Sequence, residues 1–125
     1  MPIHTYEFND SNAPQRFLPP VSFPYGAYHA AEIQYLFDLP SPVPVPPLDA
    51  DQQQLSEAMV RYWTRFARSG KPMARHAPRW PRLAVDQWPS GPQMLSLLPP
   101  SPITTPQFDF GYDHKCFFWD PLLGN

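Results

Sequence analysis

The sequence predicts an α/β chain with one long amphipathic helix, a few short strands and much coil. Three patterns lead to this prediction. Residues 3–8 alternate apolar and polar side chains and are rich in β-formers, which is typical of a strand. Residues 50–69 place their large apolar side chains on one helical stripe. Twenty prolines among 125 residues limit long helices and central strands, so long irregular connections are expected.

The helix over 50–69 has the clearest boundaries. Asp49 can cap its first turn and Gln52, three residues later, completes a capping box, while Gly70 ends the helix. Its stripe consists of large apolar side chains: Leu55, Met59, Tyr62, Trp63 and Phe66. Burying each contributes about 1.5–3 kcal/mol, so the stripe needs a partner surface. In the isolated chain we expect the stripe to face water and the strand over 3–8 to lack neighbours.

Less regular segments connect and follow these elements. A histidine loop and a short helix are predicted over 25–37, because Gly26 permits a turn and apolar residues with helical spacing follow it. Residues 39–48 form an extended Pro-rich linker. The remainder, 70–125, is predicted to be a loop-rich tail. Within this tail we expect a short strand over 94–98, a helical turn over 114–119, and two surface anchors at Trp80 and Trp88.

Charge and hydropathy exclude several classes of partner. The formal net charge is −2, so no overall field attracts nucleic acid or anionic lipid, and neither is an expected partner. The sequence has no run of about 18 apolar residues and does not start with a signal-peptide pattern, so no membrane partner is expected and the compartment stays unknown. Between 61 and 82 all the charges are basic. This stretch indicates a solvated helix face, with phosphate binding as the alternative.

A search for catalytic residues leaves His29 as the candidate. It follows a Gly-containing turn and precedes an apolar-periodic run, which can anchor an imidazole while its ring faces a cleft. His29 and Glu32 could share a helix face, but a zinc site takes three or four ligands, so no metal or other cofactor is expected. The sequence contains no Gly-x-Ser-x-Gly elbow and no Gly-rich phosphate loop. A packed or surface role for His29 remains the alternative.

Several segments resemble the carboxylesterase type B family, the cholinesterase-like branch of the α/β-hydrolases, and occur in the family's order. Residues 5–14 resemble the strand and loop before the family's triad histidine. Residues 28–37, with His-x-x-Glu followed by apolar positions, resemble the histidine segment itself. Residues 59–72, with Trp-x-x-Phe-Ala and a Gly-x-Pro exit, are similar to the next helix. The resemblance implies that 1–125 is the C-terminal part of an α/β-hydrolase domain.

The resemblance also implies a role for His29. In the complete domain it would be the general base of a Ser-acid-His triad that hydrolyses carboxylic esters, and Glu32 would be structural. The serine, the triad acid and the oxyanion hole are absent from this sequence. A general base contributes about 10²–10⁴-fold, whereas enzymes typically reach about 10⁶-fold or more. We therefore expect negligible activity alone, and a small-molecule ester as partner only if the missing groups are supplied.

Two other functions stay open. The chain could be a non-catalytic protein-binding module that uses the Pro-rich linker and exposed aromatic side chains. It could also be a small active hydrolase with an unrecognised site. An ester-hydrolysis assay of the purified chain against its His29→Ala variant separates the hydrolase from the other two.

Overall fold

The computed structural model describes residues 2–16, 18–41, 44–84 and 91–124. In chain order these contain three strands and four helices: β1 (Tyr6–Phe8), α1 (Ile33–Leu36), α2 (Ala50–Ser69), β2 (Gln93–Leu97), β3 (Ile103–Pro106), α3 (Gln107–Asp113) and α4 (Cys116–Leu123). Helix α2 has 20 residues, and the other three helices have between 4 and 8. None of the helices described is long and hydrophobic enough to cross a membrane.

The three strands form one sheet in the order β1-β2-β3. β1 pairs with β2 in parallel, with Tyr6 opposite Leu95, and β3 pairs with β2 in antiparallel, with Met94 opposite Thr105. Parallel strands need a long crossover connection, and the connection from β1 to β2 contains both α1 and α2. The expectation that the first strand lacks neighbours is therefore wrong, because residues 93–97 supply its ladder partner.

The hydrophobic core lies between α2, α1 and the sheet. Leu55, Met59 and Tyr62 of α2 are fully buried, as are Leu95 and Leu97 of β2. The same cluster includes smaller and aromatic side chains from α1, α2 and the connecting segments: Ala13, Ala31, Tyr35, Ala58 and Trp80. The expectation that the helical stripe faces water is thus wrong for most of its length. β2 and α1 cover it, and burial of these side chains is the main stabilising contribution to the fold.

The end of the α2 stripe is less covered than its centre. Trp63 is half-buried, whereas Phe66 keeps 46% of its surface exposed.

The helix begins with the reciprocal capping box, in which the Asp49 carboxylate accepts from the Gln52 backbone at 2.8 Å. It ends at Gly70, whose φ of 68° is the left-handed conformation that glycine adopts without strain.

Strand β1 is shorter than the predicted strand over 3–8. The residues before Tyr6 are extended, but they bond to a loop that follows α2 and not only to β2. The Ile3 carbonyl accepts from the Leu83 amide at 2.8 Å, and the Thr5 carbonyl accepts from Trp80 Nε1 at 2.9 Å. The N-terminal half of the predicted strand is therefore held by hydrogen bonds to this loop and is not a regular strand.

The segment over 25–37 contains only one turn of helix, α1. Helix α1 ends at Phe37, whose φ of −136° and ψ of 138° are extended and not helical. The Phe37 side chain is 59% exposed. The described parts of the Pro-rich linker, 39–41 and 44–48, have no helix or strand.

The tail after Gly70 is more ordered than a loop-rich segment. It contributes two of the three strands and two helices, and β3 and α3 have no counterpart in the predicted elements.

Trp80 is 7% exposed and packs in the core, with its ring centroid 5.0 Å from that of Trp63 and 5.5 Å from that of Tyr62. Its interpretation as a surface anchor is wrong, since α2 and β1 provide an apolar pocket for it. Trp88 lies outside the described residues.

Candidate functional site

His29 lies at the first corner of a tight turn between the Gly26 region and α1. The Ala31 amide donates to the Tyr28 carbonyl at 3.0 Å, which closes the four-residue turn 28–31. Ala30, at the second corner, has a φ of +69°, as in a type II turn. Most residues other than glycine occupy this conformation at a cost of about 1–2 kcal/mol. The strain lies next to the imidazole, as is common where a side chain must be aimed.

The turn is anchored by a buried residue and by side-chain hydrogen bonds. Ala31 is fully buried, and the Tyr28 hydroxyl donates to the Pro14 carbonyl at 3.0 Å. The Gln34 amide donates to the same carbonyl at 2.9 Å and to the Ala31 carbonyl at 3.1 Å. The backbone on both sides of His29 is therefore tied to the loop that follows β1, and the imidazole itself is exposed.

A buried carboxylate, Asp10, connects this loop to both helices. It is 3% exposed and accepts from the Tyr35 hydroxyl of α1, from the Gln52 side-chain amide of α2 at 2.8 Å, and from the Asn12 backbone at 2.9 Å. Burial, and then the hydrogen bond to Asp10, raises the pKa of Tyr35 far above its usual range, so this hydroxyl stays a donor. A buried charge with three donors is well compensated.

Sequence reasoning did not single out Asp10 or Tyr35. Asp10 stands in a polar run that is typical of a turn after a strand, and an Asx turn to Asn12 is indeed present. Its partners on α1 and α2 are 25 and 42 residues away, so only the three-dimensional arrangement brings them together. The sequence singles out only Gln52 among these residues, as a member of the capping box. Its side-chain oxygen accepts from the Asp49 backbone amide, so its NH₂ group can donate to Asp10.

Glu32, the structural acid of the predicted histidine segment, lies close to β1. Burial and then the Glu32 charge raise the pKa of Tyr6. Within the described residues Glu32 makes no hydrogen bond to His29. The turn is therefore ordered by Tyr28, Ala31 and Gln34 and not by this carboxylate.

The other three histidines occupy different environments. His4 Nδ1 lies 2.8 Å from the Pro81 carbonyl, with aromatic rings on either side. His114 Nε2 lies 2.5 Å from a Glu7 carboxylate oxygen. His76 is exposed in a turn with a φ of 63°. No group of three or more His, Cys, Asp or Glu side chains that could hold a metal occurs among the residues described.

The arrangement around His29 has a defined chemical capacity. An imidazole can act as a general base when a proton donor comes within about 2.6–3.2 Å of it. Among the described residues no hydroxyl and no carboxylate is bonded to the His29 ring. The structure thus presents a solvent-exposed histidine on an anchored turn, where groups from outside the described part of the chain could reach its ring nitrogens.

Comparisons of the sequence with known proteins identify the family of this chain. A sequence model of the Carboxylesterase family matches residues 1–106. Carboxylesterase 4A of Bos taurus is 35% identical over 86 residues, which are 69% of this chain and 15% of the relative. Bile salt-activated lipase of Mus musculus is 43% identical over 53 residues, or 42% of this chain and 9% of the relative.

A third relative extends the similarity over nearly the whole chain. Acetylcholinesterase of Bungarus fasciatus is 30% identical over 123 residues, which are 97% of this chain and 18% of that protein. The chain spans less than a fifth of the length of each of these relatives. The predicted resemblance to the family is confirmed by the family match, which covers most of the chain. This chain belongs to the carboxylesterase family of serine esterases with the α/β-hydrolase fold.

Proposed function

We propose that this chain supplies the proton-shuttling histidine of a carboxylic-ester hydrolase, and that His29 is that residue. The observation behind the proposal is the exposed histidine at the corner of a turn that Tyr28 and the buried Gln34 of α1 tie to the Pro14 carbonyl in the loop after β1. A general base must be aimed by its scaffold and yet reach its substrate, and His29 meets both conditions. The family match supports the class of reaction.

The proposed reaction proceeds in two stages. In the first, the imidazole takes the proton of a serine hydroxyl as that oxygen attacks the ester carbonyl, and returns it to the leaving alcohol. In the second, the imidazole takes a proton from a water molecule that attacks the carbonyl of the acyl-serine ester, and returns this proton to the serine oxygen as the bond to the acid breaks. A buried carboxylate would hold the imidazole in the correct tautomer.

The serine and the carboxylate that complete this triad are proposed to lie outside the 125 residues. The sequence has no Gly-x-Ser-x-Gly elbow. Asp10, the buried carboxylate nearest to the turn in sequence, is already satisfied by Tyr35, Gln52 and Asn12. The chain alone therefore lacks the nucleophile, and we expect it to hydrolyse esters no faster than buffer.

A chimaera tests the proposal directly. The C-terminal part of a full-length carboxylesterase is replaced by this chain, and hydrolysis of a chromogenic short-chain ester is measured. We expect activity in the chimaera and a loss of at least about 10²–10⁴-fold in kcat/KM in its His29→Gln variant. His76→Gln is the control, since His76 is also an exposed histidine in a turn and lies outside the histidine segment, with a positive φ of its own of 63°.

Two results would contradict the proposal. The first is a chimaera that keeps its activity when His29 is replaced but folds normally by circular dichroism. The second is ester hydrolysis by the 125-residue chain alone that is abolished by His29→Gln, which would instead identify a small complete hydrolase.

The second candidate function is a non-catalytic binding module, and one observation favours it. The last two helices expose most of their large apolar side chains to solvent: Phe108, Tyr112, Phe117, Phe118, Trp119, Leu122 and Leu123. Exposed apolar side chains mark an interaction site where they form a contiguous patch. An active chimaera would favour the esterase function, because this surface would then be accounted for within the larger domain.

A further inference from the structure

Four arginines line one cleft beside the second half of α2. Arg61, Arg65 and Arg68 come from the helix and Arg75 comes from the loop after Gly70. The cleft has a volume of about 520 Å³, and its remaining lining is uncharged: Thr64, Met73 and Ala74. It is separate from the histidine turn in sequence and shares none of the residues that position His29.

Helix geometry explains why three of these side chains share a face. Their spacings of four and three residues bring them to the same side of α2, one above the other. With a rise of 1.5 Å per residue, Arg61 and Arg68 are about 10 Å apart along the axis. One small ion cannot contact the whole row. A ligand with anionic groups spread along the helix can.

The positive charge of this row is only partly compensated within the described residues. Arg61 has an ion-pair partner, the Glu57 carboxylate at 2.8 Å. Arg68 lies in the last turn of α2, where the helix dipole favours a cation. In the described part of the chain Arg65 and Arg75 have no carboxylate partner, and neither lies in the last turn of the helix. Like charges at helical spacing repel each other, so an anion in the cleft would remove an unfavourable interaction.

We propose that this arginine cleft binds a ligand that carries several phosphate groups. A guanidinium group offers paired N–H donors that match phosphate oxygens, and several such groups along 10 Å match linked phosphates. No aromatic ring lines the cleft, so it has no platform on which nucleic-acid bases could stack. Two sources share this chemistry, namely a soluble polyphosphate and the multiply phosphorylated headgroup of a lipid.

Binding measurements on the complete 125-residue chain test this inference. Inorganic tripolyphosphate is titrated by calorimetry at constant ionic strength, and vesicles containing a phosphatidylinositol bisphosphate are tested by co-sedimentation. The Arg65→Gln, Arg68→Gln double variant is compared with Lys71→Gln, Arg79→Gln. The control loses the same charge at two exposed positions that do not line the cleft.

We expect the cleft variant to lose at least about tenfold in affinity, and the control to lose less than about threefold. Binding of tripolyphosphate with this pattern identifies a soluble ligand, and binding of vesicles alone identifies the headgroup. Absence of both, or an equal loss in the two variants, would overturn the proposal. Tighter binding of a single-stranded oligonucleotide than of tripolyphosphate would also overturn it. Circular dichroism checks that both variants keep the helix content of the parent.

Discussion

The part of the chain up to β3 and the pair of helices after it differ in how they are packed. Among the described residues, the first part contains all the buried members of the core cluster, from Ala13 to Leu97. Helices α3 and α4 bury no residue, and α3 contacts only β3 and α4 among the elements with extensive contacts. The family match, over residues 1–106, also ends where β3 ends.

This difference shows which contacts stabilise which part. In the first part, residues far apart in sequence bury apolar surface together, and a cooperative unit results. In α3 and α4 most hydrogen bonds are local. The ties to the rest of the chain include the Gln107 amide, which donates to the Pro92 carbonyl at 2.8 Å, and a half-exposed pairing of His114 with Glu7, which is an ion pair when the imidazole is protonated. Exposed ion pairs contribute little, about 0–1 kcal/mol. We therefore expect the two parts to differ in local stability.

Truncation of a core residue should have the largest effect. Met59 is fully buried, so Met59→Ala should lower the free energy of unfolding by about 2–5 kcal/mol through lost burial and a cavity. Leu122 in α4 is 66% exposed, and Leu122→Ala should change the free energy of unfolding by less than about 0.5 kcal/mol. Urea unfolding followed by circular dichroism measures both. Similar losses in the two variants would contradict the comparison.

A pH titration should give the next largest effect. Burial raises the pKa of Tyr62 from its ordinary value of 10.0 to about 12, and its hydroxyl donates to the Pro78 carbonyl. Between these two values the native state holds a proton that the unfolded state has released. Stability contributed by Tyr62 is thus fully present below pH 10 and is lost as pH rises through about 12, by about 2–3 kcal/mol in total.

The matched variants for this titration are Tyr62→Phe and Tyr112→Phe. The first should reduce the fall in stability above pH 10, because one group with a raised pKa is gone. Tyr112 is 60% exposed in α3, so Tyr112→Phe is the control for the loss of a tyrosine hydroxyl outside the core. Denaturant unfolding at a series of alkaline pH values checks this, and an unchanged slope in Tyr62→Phe would refute the assignment.

The smallest effect concerns two strained backbone positions, one in each part. Ala30 beside His29 and Lys115 between α3 and α4 both have positive φ values, of 69° and 56°. Replacing Ala30 by glycine should raise the free energy of global unfolding by about 1 kcal/mol, since the strain is relieved in the packed part. Lys115→Gly should have less effect on global unfolding. Equal gains in the two variants would show that α3 and α4 unfold together with the core.

The predictability of the candidate site follows the same division between local and distant interactions. The residues around His29 could be recognised because the turn and the following apolar positions are contiguous in sequence. The groups that fix the turn could not. Asp10 and Tyr35 are ordinary residues locally, and their importance comes from a buried contact across 25 residues. The arginine cleft likewise needed the position of Arg75 relative to α2, which charge patterning alone does not give.

Some features of this protein are determined by the sequence itself. The capping pair Asp49 and Gln52 and the terminating Gly70 are short-range signals, because helix ends are fixed by hydrogen bonds within a few residues. The order of the family-like segments is also contained in the sequence. Only the tertiary structure decides which strand pairs with β1, that Trp80 is buried, and which donors surround Asp10. These outcomes depend on surfaces that meet across distant parts of the chain, and no local pattern specifies its distant partner.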